Sequence, residues 1–143
     1  MNAAAEFAPV RYVGFWTRLA AALLDIVALL FVAVPVTLSI FGDGWAYTDG
    51  IVAFVVNWGL PGVAFVAFWV LRGATPGKMA FKAMVVDAQT HAPVDFWQAL
   101  TRYVGYFVSM TPLFIGFAWV AFDARKQGWH DKMARTVVIY RPR

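Results

Sequence analysis

Residues 15–41 read FWTRLAAALLDIVALLFVAVPVTLSIF, an apolar run that only Arg18 and Asp25 interrupt with charge. A helix needs about 20 mostly apolar residues to cross a hydrocarbon core of about 30 Å. A helix is the expected form because lipid cannot satisfy the polar groups of an open backbone. The run is too long for the hydrophobic region of a cleaved signal peptide. It therefore predicts a retained membrane-spanning helix.

Two further apolar blocks follow this first one. Residues 51–71 carry no charge, and residues 97–122 carry one, Arg102, near their start. Only 14% of the 143 residues are charged, whereas soluble domains carry about 25%. We therefore expect residues 1–143 to form one domain, an all-α transmembrane helical bundle. Five tryptophans lie near block ends, where indole rings favour the lipid headgroups: Trp16, Trp45, Trp69, Trp97 and Trp129.

The third block has two possible paths. Its middle contains Thr111-Pro112, and proline removes a backbone hydrogen bond and disfavours helix for the residue before it. The block forms either a re-entrant hairpin, with helices over 97–110 and 113–124, or one kinked span. A single crossing would leave six basic residues of the 123–143 tail on the outer side. The positive-inside rule favours the hairpin.

The connecting segments predict the orientation. Residues 42–50 contain two aspartates and no Lys or Arg, while residues 72–96 contain Arg72, Lys78 and Lys82. The basic loops and the N-terminus are therefore expected in the cytoplasm, at a bacterial inner membrane. Residues 83–87 and 136–140 are rich in β-branched and apolar side chains, which predicts two short cytoplasmic strands that could pair.

Arg18 and Asp25 are the sharpest candidates for a functional site. A separation of seven residues places them on one helix face, about 10 Å apart along the axis. Arg18 can extend its charge to the headgroups, but an aspartate deep in a membrane helix costs roughly 2.5–3.5 kcal/mol. Asp25 either binds and releases a proton or small cation, or it pairs with Arg102, Arg18 or a loop cation and holds helices together.

Residues 122–131, FDARKQGWHD, follow the third block directly and contain Asp123, His130 and Asp131. Asp131 and His130 could join Arg18 at the inner membrane surface. The alternative is that Asp131 caps a short helix over 132–135, because aspartate is a favoured N-cap residue; the cap is the favoured reading.

Three other residues have simpler expected roles. Residues 73–78, GATPGK, lack the spacing and the Ser or Thr of a phosphate-binding loop. We expect a loop and a helix start at the membrane surface, with Lys78 and Lys82 facing anionic lipid heads. Asn57 lies inside the second block, where we expect it to hydrogen-bond across helices.

Several classes of chemistry lack the residues they need. The chain has no cysteine and only two distant histidines, so the sequence predicts no metal site and no cofactor. No serine has a plausible His and Asp partner, and we expect no enzyme. The net charge is +4, and the basic residues lie in short segments between the apolar runs. This pattern indicates membrane topology rather than nucleic-acid binding.

The motifs GFWTRLAAALLD (14–25), GATPGK (73–78), VVD (85–87) and FDARKQGWHD (122–131) occur in that order. Together they resemble the RDD family, named for one arginine and two aspartates, over about residues 12–140. The resemblance implies that Arg18 is the arginine and that the aspartates are Asp25 and Asp131, with Asp123 as the other reading of the second. Members are described as membrane proteins of largely unknown function; transport has been proposed, with cation/proton antiport suggested for at least one.

Two hypotheses of function follow. The first is an oligomeric cation/proton transporter in which Asp25 carries the ion and Arg18 tunes it. Two or three helices do not easily enclose an aqueous path, so transport would need a homo-oligomer or a partner subunit. The second is a non-catalytic scaffold or accessory subunit of a larger membrane complex, with the Arg and Asp groups as internal ion pairs. Membrane lipids are the remaining expected partners.

Overall fold

The computed structural model describes residues 9–43 and 49–141; Trp45 lies outside them. Two helices are long and apolar enough to cross a membrane, one beginning at Phe15 and one at Gly50. This confirms the two predicted long apolar helices. The first is α1 (Phe15–Phe41). The second comprises α2 (Gly50–Phe54), a π-helical turn (Val55–Gly59) and α3 (Leu60–Arg72).

Asn57 lies in the π-helical turn of the second span. Its side-chain amide donates a hydrogen bond of 2.8 Å to the carbonyl oxygen of Ala53, one turn earlier in the same helix. The expected hydrogen bond to another helix is therefore wrong. The extra residue of a π-turn rotates the helix face, and the amide satisfies a carbonyl close to that irregularity.

The third apolar block is broken, as its proline predicts. Helix α5 (Phe96–Met110) begins with Asp95, which accepts a hydrogen bond from the Gln98 amide in a capping box. Helix α6 (Ile115–Ala118) follows and continues as a 3₁₀ turn (Trp119–Ala121). The chain bends by 111° between these two helical parts. The second part is shorter than predicted, because Leu113 and Phe114 both have positive φ angles and delay its start.

A two-stranded sheet ties both ends of this block together. Strand β1 (Ala83–Asp87) precedes the block and β2 (Thr136–Tyr140) follows it, and they pair antiparallel. The predicted strand pair is confirmed. The amide of Val13 donates to the carbonyl of Val138 at 2.9 Å, which brings the start of α1 to the same sheet. One face of the molecule therefore carries the base of α1 and both ends of the third block.

Trp69 lies at the centre of the core beside this sheet. It is fully buried in the cluster that contains Val85, Ala99 and Val138, so its predicted position among lipid headgroups is wrong. Trp16 and Trp97 are exposed, and their contact with headgroups stays a prediction. Tryptophan suits either setting, because its large ring favours burial as well as an interface.

Helix α1 is attached to the rest of the chain over a short length. Among its described residues only Ala21 and Asp25 are buried, where the short helix α4 (Pro76–Ala80) packs on it. A Cβ on Gly77 would lie 2.0 Å from the Ala21 carbonyl oxygen. Only glycine permits this approach of two backbones. The rest of α1, residues 26–41, stays largely exposed along its length.

Replacing Gly77 with alanine tests this contact. The added methyl group meets backbone rather than a flexible side chain, so α4 must move away from α1. Overpacking of this kind costs about 3 kcal/mol or more. We expect a matching loss of unfolding free energy in mixed micelles. Gly59→Ala is the control, because a Cβ there meets its nearest atom at an ordinary 3.7 Å; equal effects of the two variants would contradict the close approach.

Candidate functional site

Asp131 binds two arginines from different helices. It is the third residue of α7 (Trp129–Ala134) and is fully buried. Arg18 of α1 donates from Nη1 to Oδ2 at 2.5 Å, and Arg102 of α5 donates from Nη1 to Oδ1. The carboxylate also accepts the Gly128 amide at 2.9 Å. One carboxylate thus joins α1, α5 and α7, and the alternative that it caps a helix over 132–135 is wrong because the helix begins at Trp129.

Each of the three side-chain nitrogens of Arg18 donates to a protein acceptor. Its Nε donates to the Val13 carbonyl at 3.0 Å, and its Nη2 donates to the Lys126 carbonyl. Only 10% of its side chain is exposed. The expected extension of Arg18 to lipid headgroups is therefore wrong. The guanidinium turns inward instead and joins the start of α1 to the segment before α7.

Arg102 is the most deeply buried cation of the described residues. Besides Asp131, its Nη1 donates to Thr136 Oγ1 at 2.9 Å. The guanidinium lies 5.2 Å from the ring centroid of Trp69 and 5.8 Å from that of Tyr106. Its Nε has no hydrogen-bond partner, although a buried donor without a partner is costly. The ion pair and the aromatic rings offset that cost.

His130 lies against the cluster as a neutral ring. Its Nε2 is 3.5 Å from Asp131 Oδ2, and its Nδ1 is 3.3 Å from Ser109 Oγ. The expectation that no serine has a His and an Asp as neighbours is therefore wrong. Burial, its largest influence, lowers the pKa of His130 to about 3, against the opposing effect of Asp131. Burial alone would raise the pKa of Asp131, but Arg102 and Arg18 outweigh it and hold that pKa well below the usual range. At neutral pH the site is an ionised aspartate between two guanidinium groups.

Asp25 forms a second, separate site on α1. Thr75 donates its hydroxyl to Oδ2 at 2.5 Å, and the Gly77 amide donates to Oδ1 at 2.7 Å. Asp25 lies within 4.0 Å of no Lys or Arg nitrogen among the described residues, so none of the expected cations, Arg18, Arg102 or a loop cation, pairs with it directly there. Arg18 and Asp25 lie on one face of α1 but bind different partners. Asp25 fixes α4 to α1.

Thr75 and Gly77 are functional residues that the sequence reasoning missed. Both lie in GATPGK, which was predicted to be a loop and helix start at the membrane surface. The helix start is confirmed, since α4 begins at Pro76. A hydroxyl and a free amide beside a helix start are good donors for a buried carboxylate. That composition was the signal that could have indicated a partner for Asp25.

The remaining candidates lie apart from the two sites. Asp123 pairs with Lys132 at 2.7 Å and accepts the amides of Arg125 and Gln127, so it shapes the turn before α7. Lys82 is exposed, and its contact with lipid heads stays a prediction. Lys78 is only 6% exposed, so it is not the open surface residue that was expected, and its contact with a lipid head stays a prediction. No group of three or more His, Asp or Glu in residues 9–43 and 49–141 could hold a metal ion.

Comparison with known proteins identifies the family of the chain. The family model described as "RDD family" matches residues 12–135, which include Arg18, Asp25 and Asp131. The chain belongs to the RDD family. An uncharacterized protein of Rickettsia prowazekii, RP437, is 35% identical over 75 residues, which are 52% of this chain and 41% of that protein.

Two mycobacterial proteins match a shorter part of this RDD chain. The proline-rich antigen homolog of Mycobacterium tuberculosis is 31% identical over 67 residues, 47% of this chain and 28% of its own length. The proline-rich antigen of Mycobacterium leprae is 30% identical over 67 residues, 47% of this chain and 27% of its own. The matched part spans less than half of each of these relatives. No solved structure matches the chain.

Replacing Asp131 with asparagine should unfold the centre of the site. Two buried guanidinium groups would lose their shared counter-charge, and breaking a buried ion pair costs about 3–5 kcal/mol. We expect that loss in the unfolding free energy measured in mixed micelles. Asp123→Asn is the control: it removes a pair whose lysine is 46% exposed, and such surface pairs contribute less than about 1 kcal/mol. Comparable losses in both variants would contradict the central role of Asp131.

The neutral state of His130 predicts a dependence of stability on pH. Its folded-state pKa of about 3 lies below the ordinary 6.5, so the full stabilisation is present above pH 6.5 and is lost as the pH falls toward 3. Unfolding in that window takes up one proton, a slope of about 1.4 kcal/mol per pH unit. His130→Gln should make the decline shallower between pH 6.5 and 4.

His91→Asn is the matched control for this pH series. His91 is exposed in a turn with a φ of 56°, a conformation that asparagine also adopts readily. This variant should follow the wild-type slope. If wild type and His130→Gln lose stability equally between pH 6.5 and 4, His130 is not held neutral by the fold.

Proposed function

We propose that this RDD protein is a non-catalytic accessory subunit of a membrane complex, a scaffold that presents α1 to a neighbouring membrane helix. One observation carries the proposal: residues 26–41 of α1 are largely exposed and have no extended packing against α2 or α3 in the described structure. Membrane helices associate through close van der Waals packing. A spanning helix that stands apart from its own chain is suited to packing with another.

The polar sites give α1 a fixed base. Arg18 is bound to Asp131, and two turns further on Asp25 is bound to Thr75 and Gly77. Two attachment points along one helix fix its direction as well as its position. The arginine and both aspartates then act as internal structural contacts, as the scaffold hypothesis requires.

The proposal includes an orientation. The strands before and after the third block pair with each other, and the start of α1 joins them. This arrangement supports a third block that enters the bilayer and leaves it on the same side. The basic residues of the 72–96 loop and of the tail then share that side with Arg18. By the positive-inside rule this side is the cytoplasm, at a bacterial inner membrane.

The transport hypothesis has weaker support. Both carboxylate oxygens of Asp25 are occupied by protein donors, whereas an ion carrier needs them free for part of its cycle. A cavity of about 650 Å³ between α3 and α5 is lined by apolar side chains such as Val63, Val66 and Phe107. The names of the similar proteins do not refer to transport.

A pair of tryptophan variants on α1 tests the scaffold proposal. Val27, Leu30, Phe31, Val34 and Pro35 surround a shallow depression on the helix. Val34→Trp fills it, and Val32→Trp adds the same bulk at a similar depth on the opposite face. Lipid tolerates both, but a helix packed into the depression tolerates only the second. We expect extraction into polymer-bounded lipid discs to yield a stoichiometric complex for wild type and Val32→Trp, and separate chains for Val34→Trp.

Two results would overturn the proposal. One is a wild-type protein that leaves the native membrane as a single chain with no stoichiometric second polypeptide or second copy. The other is a proton or cation flux in liposomes that the wild type supports and that Asp25→Asn abolishes. The second result would favour transport instead.

A further inference from the structure

Lys78 is a buried cation without an acceptor. Its side chain is only 6% exposed, yet within residues 9–43 and 49–141 it makes no hydrogen bond and lies within 4.0 Å of no carboxylate. Its ammonium is not among the fully enclosed nitrogen atoms that lack partners. The part of Lys78 that remains accessible therefore includes the ammonium itself.

The charged groups near Lys78 are bound to other partners. Arg18 and Arg102 both donate to Asp131, and Asp25 accepts hydrogen bonds from the Thr75 hydroxyl and the Gly77 amide. A buried charge is unfavourable unless it is paired. Lys78 is a buried cation that none of these contacts pairs.

Lys78 belongs to the same electrostatic environment as the arginine cluster. Its charge acts on His130 together with those of Arg102 and Arg18, and this histidine adds no compensating negative charge. Lys78 is also directly adjacent to Gly77, whose amide binds Asp25. Lys78 is thus a partly enclosed ammonium at the contact between α1 and α4.

We propose that Lys78 binds one anionic phosphate group at the contact between α1 and α4, and that a phospholipid headgroup supplies it. A lysine ammonium is a compact point charge that suits phosphate oxygens. The expected depth of Lys78 in the bilayer also fits a headgroup phosphate. Helix α4 packs on the first part of α1, just after α3 ends at Arg72. A helix that leaves the apolar core reaches the headgroup phosphates there.

This site differs from a general attraction between basic residues and an anionic membrane. General attraction acts through exposed lysines and is spread over the surface. Lys82, four residues further along and exposed, represents that behaviour. Lys78 offers one enclosed charge, so its binding should saturate at one phosphate per chain.

The experiment uses the full chain in a non-ionic detergent. Binding is measured by isothermal titration with short-chain phosphatidylglycerol, with inorganic phosphate, and with a diacylglycerol of the same chain length that lacks phosphate. The variants are Lys78→Met, which keeps the length and removes the charge, Lys78→Arg, which keeps the charge, and Lys82→Met as the matched surface control. Melting temperatures are recorded with and without each ligand.

We expect saturable binding of phosphatidylglycerol with a stoichiometry of one, weakened at least tenfold in Lys78→Met and retained in Lys78→Arg and Lys82→Met. Without ligand, Lys78→Met should melt at or above the wild-type temperature, because an unpaired buried charge has been removed. Saturable binding of inorganic phosphate alone, with the same dependence on Lys78, would keep the phosphate site and reject the lipid as its source.

Three results would overturn the phosphate site. The first is the absence of saturable binding of either phosphate ligand. The second is an equal loss of binding in Lys78→Met and Lys82→Met. The third is a ligand-free Lys78→Met variant that melts well below wild type, since that would show that Lys78 has a partner within the protein.

Discussion

The contact of one carboxylate with two guanidinium groups organises this protein. Asp131 draws Arg18 and Arg102 to a single point, and the helices that carry these residues are brought together with it. Desolvating three charged groups is expensive, and the attraction between them offsets that cost only when the geometry is good. The base of α1, the first half of the third block and α7 are therefore held together as a unit. The neutral His130 ring and the aromatic groups around Arg102 complete its packing.

Asp25 is stabilised by a different set of partners from those of Asp131. Asp25 lies in an apolar stretch of α1, and it is stabilised by a hydroxyl and an amide rather than by a cation. Such donors satisfy the carboxylate without burying another charge. They also require α4 to approach α1 closely, which explains the glycine at position 77. The RDD motifs thus supply two attachment points on α1, an ionic one at Arg18 and a neutral one at Asp25.

The sequence predicted the elements of this fold better than it predicted their contacts. Hydropathy was sufficient to predict both long apolar helices. Pro112 predicted the break in the third block, and the β-branched residues predicted the strand pair. Long-range partners were harder. Two arginines and several aspartates permit several pairings, and periodicity on α1 alone could not show that Arg18 reaches Asp131 or that Thr75 reaches Asp25. Trp69 and Lys78 were misplaced for a related reason: amphipathic side chains suit both an interface and an interior, and only tertiary packing decides between them.

The separation of Arg18 and Asp131 along the chain has a consequence for biosynthesis. They are 113 residues apart, so the first helix enters the bilayer long before its counter-charge has been translated. Until then Arg18 has no Asp131 to neutralise it, and the contact between α1 and α7 cannot form while the intervening segments insert. Closure is a late, non-local event, which slows folding. A nascent chain that stalls before residue 131 therefore keeps an arginine without this counter-charge.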